Sequence, residues 1–316
     1  MGGPAPDVTP PPWRAVAGGV GVIAATSVAA WALAQPSNSL SATAARATAD
    51  CAAIVTLGLA VVPLLDTGRY RDELSRSAAA PLAVSAAVWL LTELVRLVVV
   101  IAQTAALPAG SVGLQTYVEF LTHTAAGRSG AVSAVAAAVV CGAAVAAPRT
   151  TPVTLAVTGV AAAGLAARTL AGHLTESPLG GVAVAVHAVA AGLWCGALVG
   201  LLTTVTHRGQ WARVLPRFST LALGCVGALV VAGGVGAVVT VASPTDLVTT
   251  GYGRMMTAKL LVTVALTALA WRNRSRWLPA ARGHRTSAGL SRTRSLVEVA
   301  VMTVALTLAA ALAVTG

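Results

Sequence analysis

The sequence predicts an all-α, polytopic transmembrane helix bundle of about nine spans, with the N-terminus inside and the C-terminus outside. Three observations lead there. The chain is 56% hydrophobic and only 10% charged, its mean hydropathy is +0.81, and its apolar residues fall into runs long enough to cross a bilayer. A soluble domain carries about 25% charged residues, so water is not the solvent of this chain. The formal charge of +11 does not point to nucleic acid, because the basic residues sit in short segments between apolar runs, where they set topology.

A helix needs about 20 predominantly apolar residues to cross the hydrocarbon core. Nine windows meet that length: 14–35, 42–65, 80–106, 129–147, 151–171, 180–205, 217–242, 253–271 and 294–315. The first is too long for a signal-peptide core and has no clear small-residue cleavage site, so it is read as a span. The Pro-rich residues 1–13 ahead of it are expected to be disordered, leaving residues 14–316 as the transmembrane domain. Placing the N-terminus inside puts fifteen of the 21 basic residues on the inner side, including the seven arginines from Arg272 to Arg294. Arg46, Arg128, Arg168 and Arg254 fall at outer ends, and Arg96 and Lys259 fall within spans. The alternation agrees with the positive-inside rule at every loop. Two longer connections remain: an outer loop, residues 108–128, with Tyr117, Glu119, Phe120 and His123, and a basic inner loop, residues 271–294, suited to anionic lipid headgroups.

The four cysteines, Cys51, Cys141, Cys195 and Cys225, stand singly inside apolar runs, so neither a disulfide framework nor a zinc site is indicated. No phosphate-binding glycine loop precedes a helix, and Ser, His and Asp do not combine in a hydrolase motif; catalysis is not expected. The Gly233-Gly234-Val235-Gly236 cluster reads as close helix packing.

Ionisable groups within spans are costly and turn toward the bundle interior, so each is a functional candidate: Asp50, Glu93, Arg96, His187, Lys259 and Glu298. Glu93 and Arg96 lie three apart on one helix face, where mutual neutralisation is preferred to a relay. Glu298 can pair with the arginines just before it, and an Asp50–Lys259 pair between helices is open. A short outer segment contains His173 and Glu176 and feeds the helix of His187, Trp194 and Cys195. It places His173 at the outer surface and His187 roughly 10 Å below it, at 1.5 Å per residue. Trp194, seven residues on, shares the face of His187. Imidazole suits copper, zinc, iron or haem, and thioether selects Cu(I), so Met255 and Met256 on the same outer side make a mixed site conceivable. His187 reads equally as a hydrogen-bonded contact between helices. An axial haem pair needs two histidines at similar depth, and only one lies deep.

The second half resembles the copper resistance D (CopD) family of bacterial membrane proteins, in its actinobacterial type. The residues that carry the resemblance are Gly172-His173, His187 followed by Gly192-Leu193-Trp194-Cys195-Gly196-Ala197-Leu198, and Arg217-Phe218-Ser219. They continue in Thr250-Gly251-Tyr252-Gly253-Arg254 with Lys259, Asn273-Arg274, and Arg294-Ser295 with Glu298. The CopD-like region spans about 150–316. It implies copper import, or copper binding from the periplasmic side, at the bacterial inner membrane, with His173 and His187 as leading ligands for Cu(I). Met255, Met256, Cys195, Trp194 and Glu176 follow as further ligands or supporting groups. Cys195 departs from relatives that carry a small residue there. The resemblance also implies a periplasmic copper chaperone or an oxidase-assembly membrane protein as partner, so a non-catalytic assembly subunit is the alternative reading.

Overall fold

A computed structural model describes residues 12–35, 39–170, 178–240, 245–282 and 288–315. The chain runs α1 (Pro12–Leu33), α2 (Leu40–Val61), α3 (Arg69–Thr104), α4 (Leu114–His123), α5 (Ala125–Ala146) and α6 (Thr151–Thr169). It continues through α7 (Pro178–Thr204), α8 (Arg208–Thr240), the single turn α9 (Asp246–Thr249), α10 (Gly251–Arg282) and α11 (Ala288–Thr315). The fold is all-helical, and among the described residues nine of these helices are long and apolar enough to cross a membrane. They correspond one to one with the nine windows read from the sequence. Of the segment expected to be disordered, residues 1–11 lie outside the described residues, and α1 begins at Pro12, where a missing N–H costs a helix nothing.

Helix α2 is the hub: 72% of its apolar window is buried, against 39% for α3 and 28% for α5. It packs on α3, α7, α6, α11 and α1. Lipid tails are as apolar as leucine, so such contacts form where small residues let backbones approach. The α2–α7 crossing is the clearest case: a Cβ added to Gly58 would overlap the backbone of Gly196, and one added to Gly196 would overlap the Ile54 carbonyl. Around it Leu57, Trp89, Ala137, Val140, Leu165, Ala197 and Leu201 make a continuous core. A second cluster joins Ala30 of α1 and Ala34 just past its end, Met255 of α10 and Leu308, Ala311 and Leu312 of α11.

Two connections differ from the loops expected. Residues 108–128 hold a one-turn 3-10 segment, Ala109–Ser111, and the helix α4. Its Phe120 is buried with Leu97 and Ile101 of α3, so this segment is an amphipathic cap on the bundle. Too short to span and apolar on one face only, it is averaged away by a window of span length. The basic stretch 271–294 is also largely helical, because α10 runs on to Arg282 and α11 starts at Ala288.

Helix α3, at 36 residues, is roughly 54 Å long at 1.5 Å per residue, well beyond the about 30 Å of a hydrocarbon core. Its first turns, with Arg69, Arg71, Asp72, Glu73 and Arg76, therefore project from the arginine-rich end of the bundle. There Asp66, 1% exposed, gathers the chain: Arg213 Nε lies 3.1 Å from Oδ2, Arg217 Nη1 3.7 Å from Oδ1, and Arg71 Nε donates to the Asp66 carbonyl at 3.1 Å. Gln210 Nε2 donates to Glu73 Oε1 at 3.1 Å, and the Arg213 guanidinium stacks 3.7 Å over the Tyr70 ring. These contacts tie α8 to the connection between α2 and α3 and to the start of α3 at that end.

Candidate functional site

Two polar centres lie inside the bundle, away from the arginine-rich end. The first is a network of five charged side chains. Glu93 of α3 is fully buried and accepts from Arg96 Nη2 at 2.6 Å and Nε at 3.1 Å, the pairing that their three-residue spacing predicts. Room for the Arg96 guanidinium comes from Gly130 of α5, where a Cβ would stand 2.9 Å from Arg96 Nη2. Arg168 of α6, 4% exposed, bridges the other two elements: Nη2 lies 2.5 Å from Asp50 Oδ1 of α2, and Nε 3.3 Å from Glu93 Oε2. Arg46, one turn before Asp50, adds a looser contact of 3.7 Å. The Arg168 contacts are short but poorly aligned, since its Nε, Nη1 and Nη2 all lack a hydrogen-bond acceptor among the described residues. Close charges with bad angles retain the Coulomb attraction and lose the directional part of the bond. Tyr117 of α4 packs on the neighbouring Leu97, Ile101 and Phe120 cluster, and burial raises its phenol above the ordinary value.

This arrangement corrects one expectation. Asp50 does not pair with Lys259; its partners are Arg168 and Arg46. Both arginines read in the sequence as outer-end topology residues. The signal that could have identified Arg168 is its position inside the apolar window of α6, at a depth reachable from Asp50 and Glu93.

The second centre surrounds His187 of α7. Its ring is turned onto α8, beside the backbone around Leu229, with Lys259 of α10 the charged side chain on that side. Gly233 of α8 supplies the clearance, because a Cβ there would lie 3.5 Å from His187 Cε1. Trp194 faces α8 as well, so the two share a face as their spacing predicts. His173 and Glu176 lie outside the described residues. Met255 is fully buried among α1 and α11 side chains, with Met256 packed against the same cluster, whereas His187 is seated on α8. Cys195 belongs to the main core, and all four cysteines are free thiols. Among the described residues no group of three or more His, Cys, Asp or Glu is placed to hold a metal ion.

Nearer the arginine-rich end, Trp194, Trp211, Trp271 and Phe218 wall a cavity of about 110 Å³ between α7, α8 and α10. Its polar floor is Glu298, which accepts from Asn273 Nδ2 at 2.8 Å. The arginines expected to neutralise Glu298, Arg292 and Arg294, have side chains outside the described residues, and the partner seen is an amide from α10.

These features define a multi-pass helical membrane protein with polar centres between its helices. Residues 212–312 match Copper resistance protein D, and residues 36–178 match Copper resistance protein D-like, N-terminal domain. The chain belongs to the copper resistance D family. The second match covers the first half, where the sequence offered apolar spans and no motif. His173, Arg46, Asp50, Glu93, Arg96 and Arg168 fall in that range, Met255, Lys259, Asn273 and Glu298 in the other, and His187 and Trp194 between the two. No curated protein and no solved structure matches the chain.

Proposed function

We propose that this protein binds copper from the outer side of a bacterial inner membrane and passes it into the bundle, with the N-terminus inside. Copper is here the cargo. The observation that carries the reading, beyond family membership, is the seating of His187. The ring is held against α8 at Gly233, inside the bundle, where an imidazole nitrogen can offer its lone pair to a soft cation. Cu(I) takes such a neutral imidazole together with thioether or thiolate donors. His173 is proposed to receive the ion at the outer surface, with Met255, Met256 or Cys195 completing its coordination and Glu176 and Trp194 shaping the path. A periplasmic copper chaperone would deliver the ion.

The test is copper content in cells lacking the protein, complemented by wild type or by His187→Ala. The expected result is restored copper handling with wild type and none with the variant, at equal membrane levels. Full complementation by His187→Ala contradicts the proposal.

One observation favours a second reading. The fit of His187 against Gly233 is also what a histidine joining two helices would make, which suits an assembly subunit whose membrane partner, of the oxidase-biogenesis kind, carries the chemistry. Co-purification with such a complex independent of copper would support it.

A further inference from the structure

The network around Arg168 is unbalanced. Three guanidinium groups, Arg46, Arg96 and Arg168, meet two carboxylates, Asp50 and Glu93, leaving one positive charge in excess among the described residues. Arginine keeps its proton in proteins, and protonating either acid would only enlarge the excess. An uncompensated charge inside a bilayer is costly, so a cluster of this composition calls for an added anion. The hydrogen-bond inventory points the same way. Arg168 is 4% exposed, yet its Nε, Nη1 and Nη2 lack aligned acceptors among the described residues, as does Arg46 Nε, against one acceptor of the network, Glu93 Oε2, that lacks an aligned donor. Arg46 and Asp50 retain 20% and 19% side-chain exposure, which gives a route inward, whereas Arg168 and Glu93 are sealed.

We propose that the buried junction of α2, α3 and α6 binds one small inorganic anion of the halide class, held by the excess guanidinium charge at Arg46 and Arg168. A halide fits because a monoatomic anion accepts from donors at many angles, and the donors here converge from two helices without a common plane. The site serves as a counter-ion that completes the helix junction. It stands independently of the copper reading, since none of its five residues is a proposed copper ligand.

The experiment is thermal unfolding of the full chain in detergent, free of copper, with chloride raised against gluconate at constant ionic strength. Wild type should gain stability along a saturating curve. In Arg46→Gln the charge excess is removed and the curve should flatten, with at least tenfold weaker half-saturation. In Asp50→Asn the excess is larger, and half-saturation should move severalfold lower. These opposite shifts distinguish anion binding from simple damage to the network, which would lower stability in both variants without reversing the chloride dependence. A wild type indifferent to chloride, or the same half-saturation in all three proteins, would overturn the proposal.

Discussion

Arg168 is the residue on which the first half turns, because among the described residues it is the one ion-pair link between Asp50 of α2 and Glu93 of α3. Removing one partner of a buried ionic network costs about 3–5 kcal/mol, chiefly because the others are left charged and unpaired. Arg168→Ala is therefore expected to lower the unfolding temperature in detergent sharply. Arg128→Ala, the same charge change at an exposed position, should leave it nearly unchanged. Equal melting curves would show that the bridge contributes little. At this scale the sequence was legible where partners are local: Glu93 and Arg96, three apart on one helix, pair as their spacing requires. It was not legible for Asp50, because hydropathy gives a residue's depth but not the direction in which its side chain points around the helix. Lys259 was the partner left open for Asp50 while Arg168 read as an outer-end arginine, and helix packing selected Arg168. Asp66 escaped notice for a related reason, since a carboxylate just past a span end reads as solvated until Arg213 and Arg217 are seen to converge on it.

Among elements, the α2–α7 crossing sets how closely the two halves approach. Gly196→Val is predicted to abolish accumulation of folded protein in the membrane, because the added carbons would occupy the space of the α2 backbone. Gly142→Ala in α5 meets nothing within 4 Å and is expected to be neutral or to stabilise by up to about 1 kcal/mol through helix propensity. Membrane levels by immunoblot and size-exclusion profiles separate the two outcomes, and a well-folded Gly196→Val would refute the close approach. At the arginine-rich end, Asp66→Asn should loosen α8 from the α2–α3 connection, read as faster proteolysis near Arg208–Arg213 in detergent. All nine spans were legible, since length and hydropathy suffice for them. Helix α4 was not: ten residues with one apolar face carry too little signal until α3 and α5 are present to receive it.

Across the whole molecule, α7 joins the halves, contacting α2 and α6 on one side and α8 and α11 on the other. It also carries His187 between the two matched ranges, so the copper role proposed for this residue rests on its own chemistry. Orientation belongs to this scale too. Ser111→Cys is predicted to react with an impermeant thiol reagent from outside the cell, and Ser275→Cys only after the membrane is opened; the reverse pattern would invert the proposed topology. The direct test of the central claim is a Cu(I) competition titration on the purified chain, comparing wild type with the His173→Ala, His187→Ala double variant. The account predicts near-stoichiometric binding by wild type that the double variant loses, with both proteins folded. Equal binding by the two, or none by either, would contradict it.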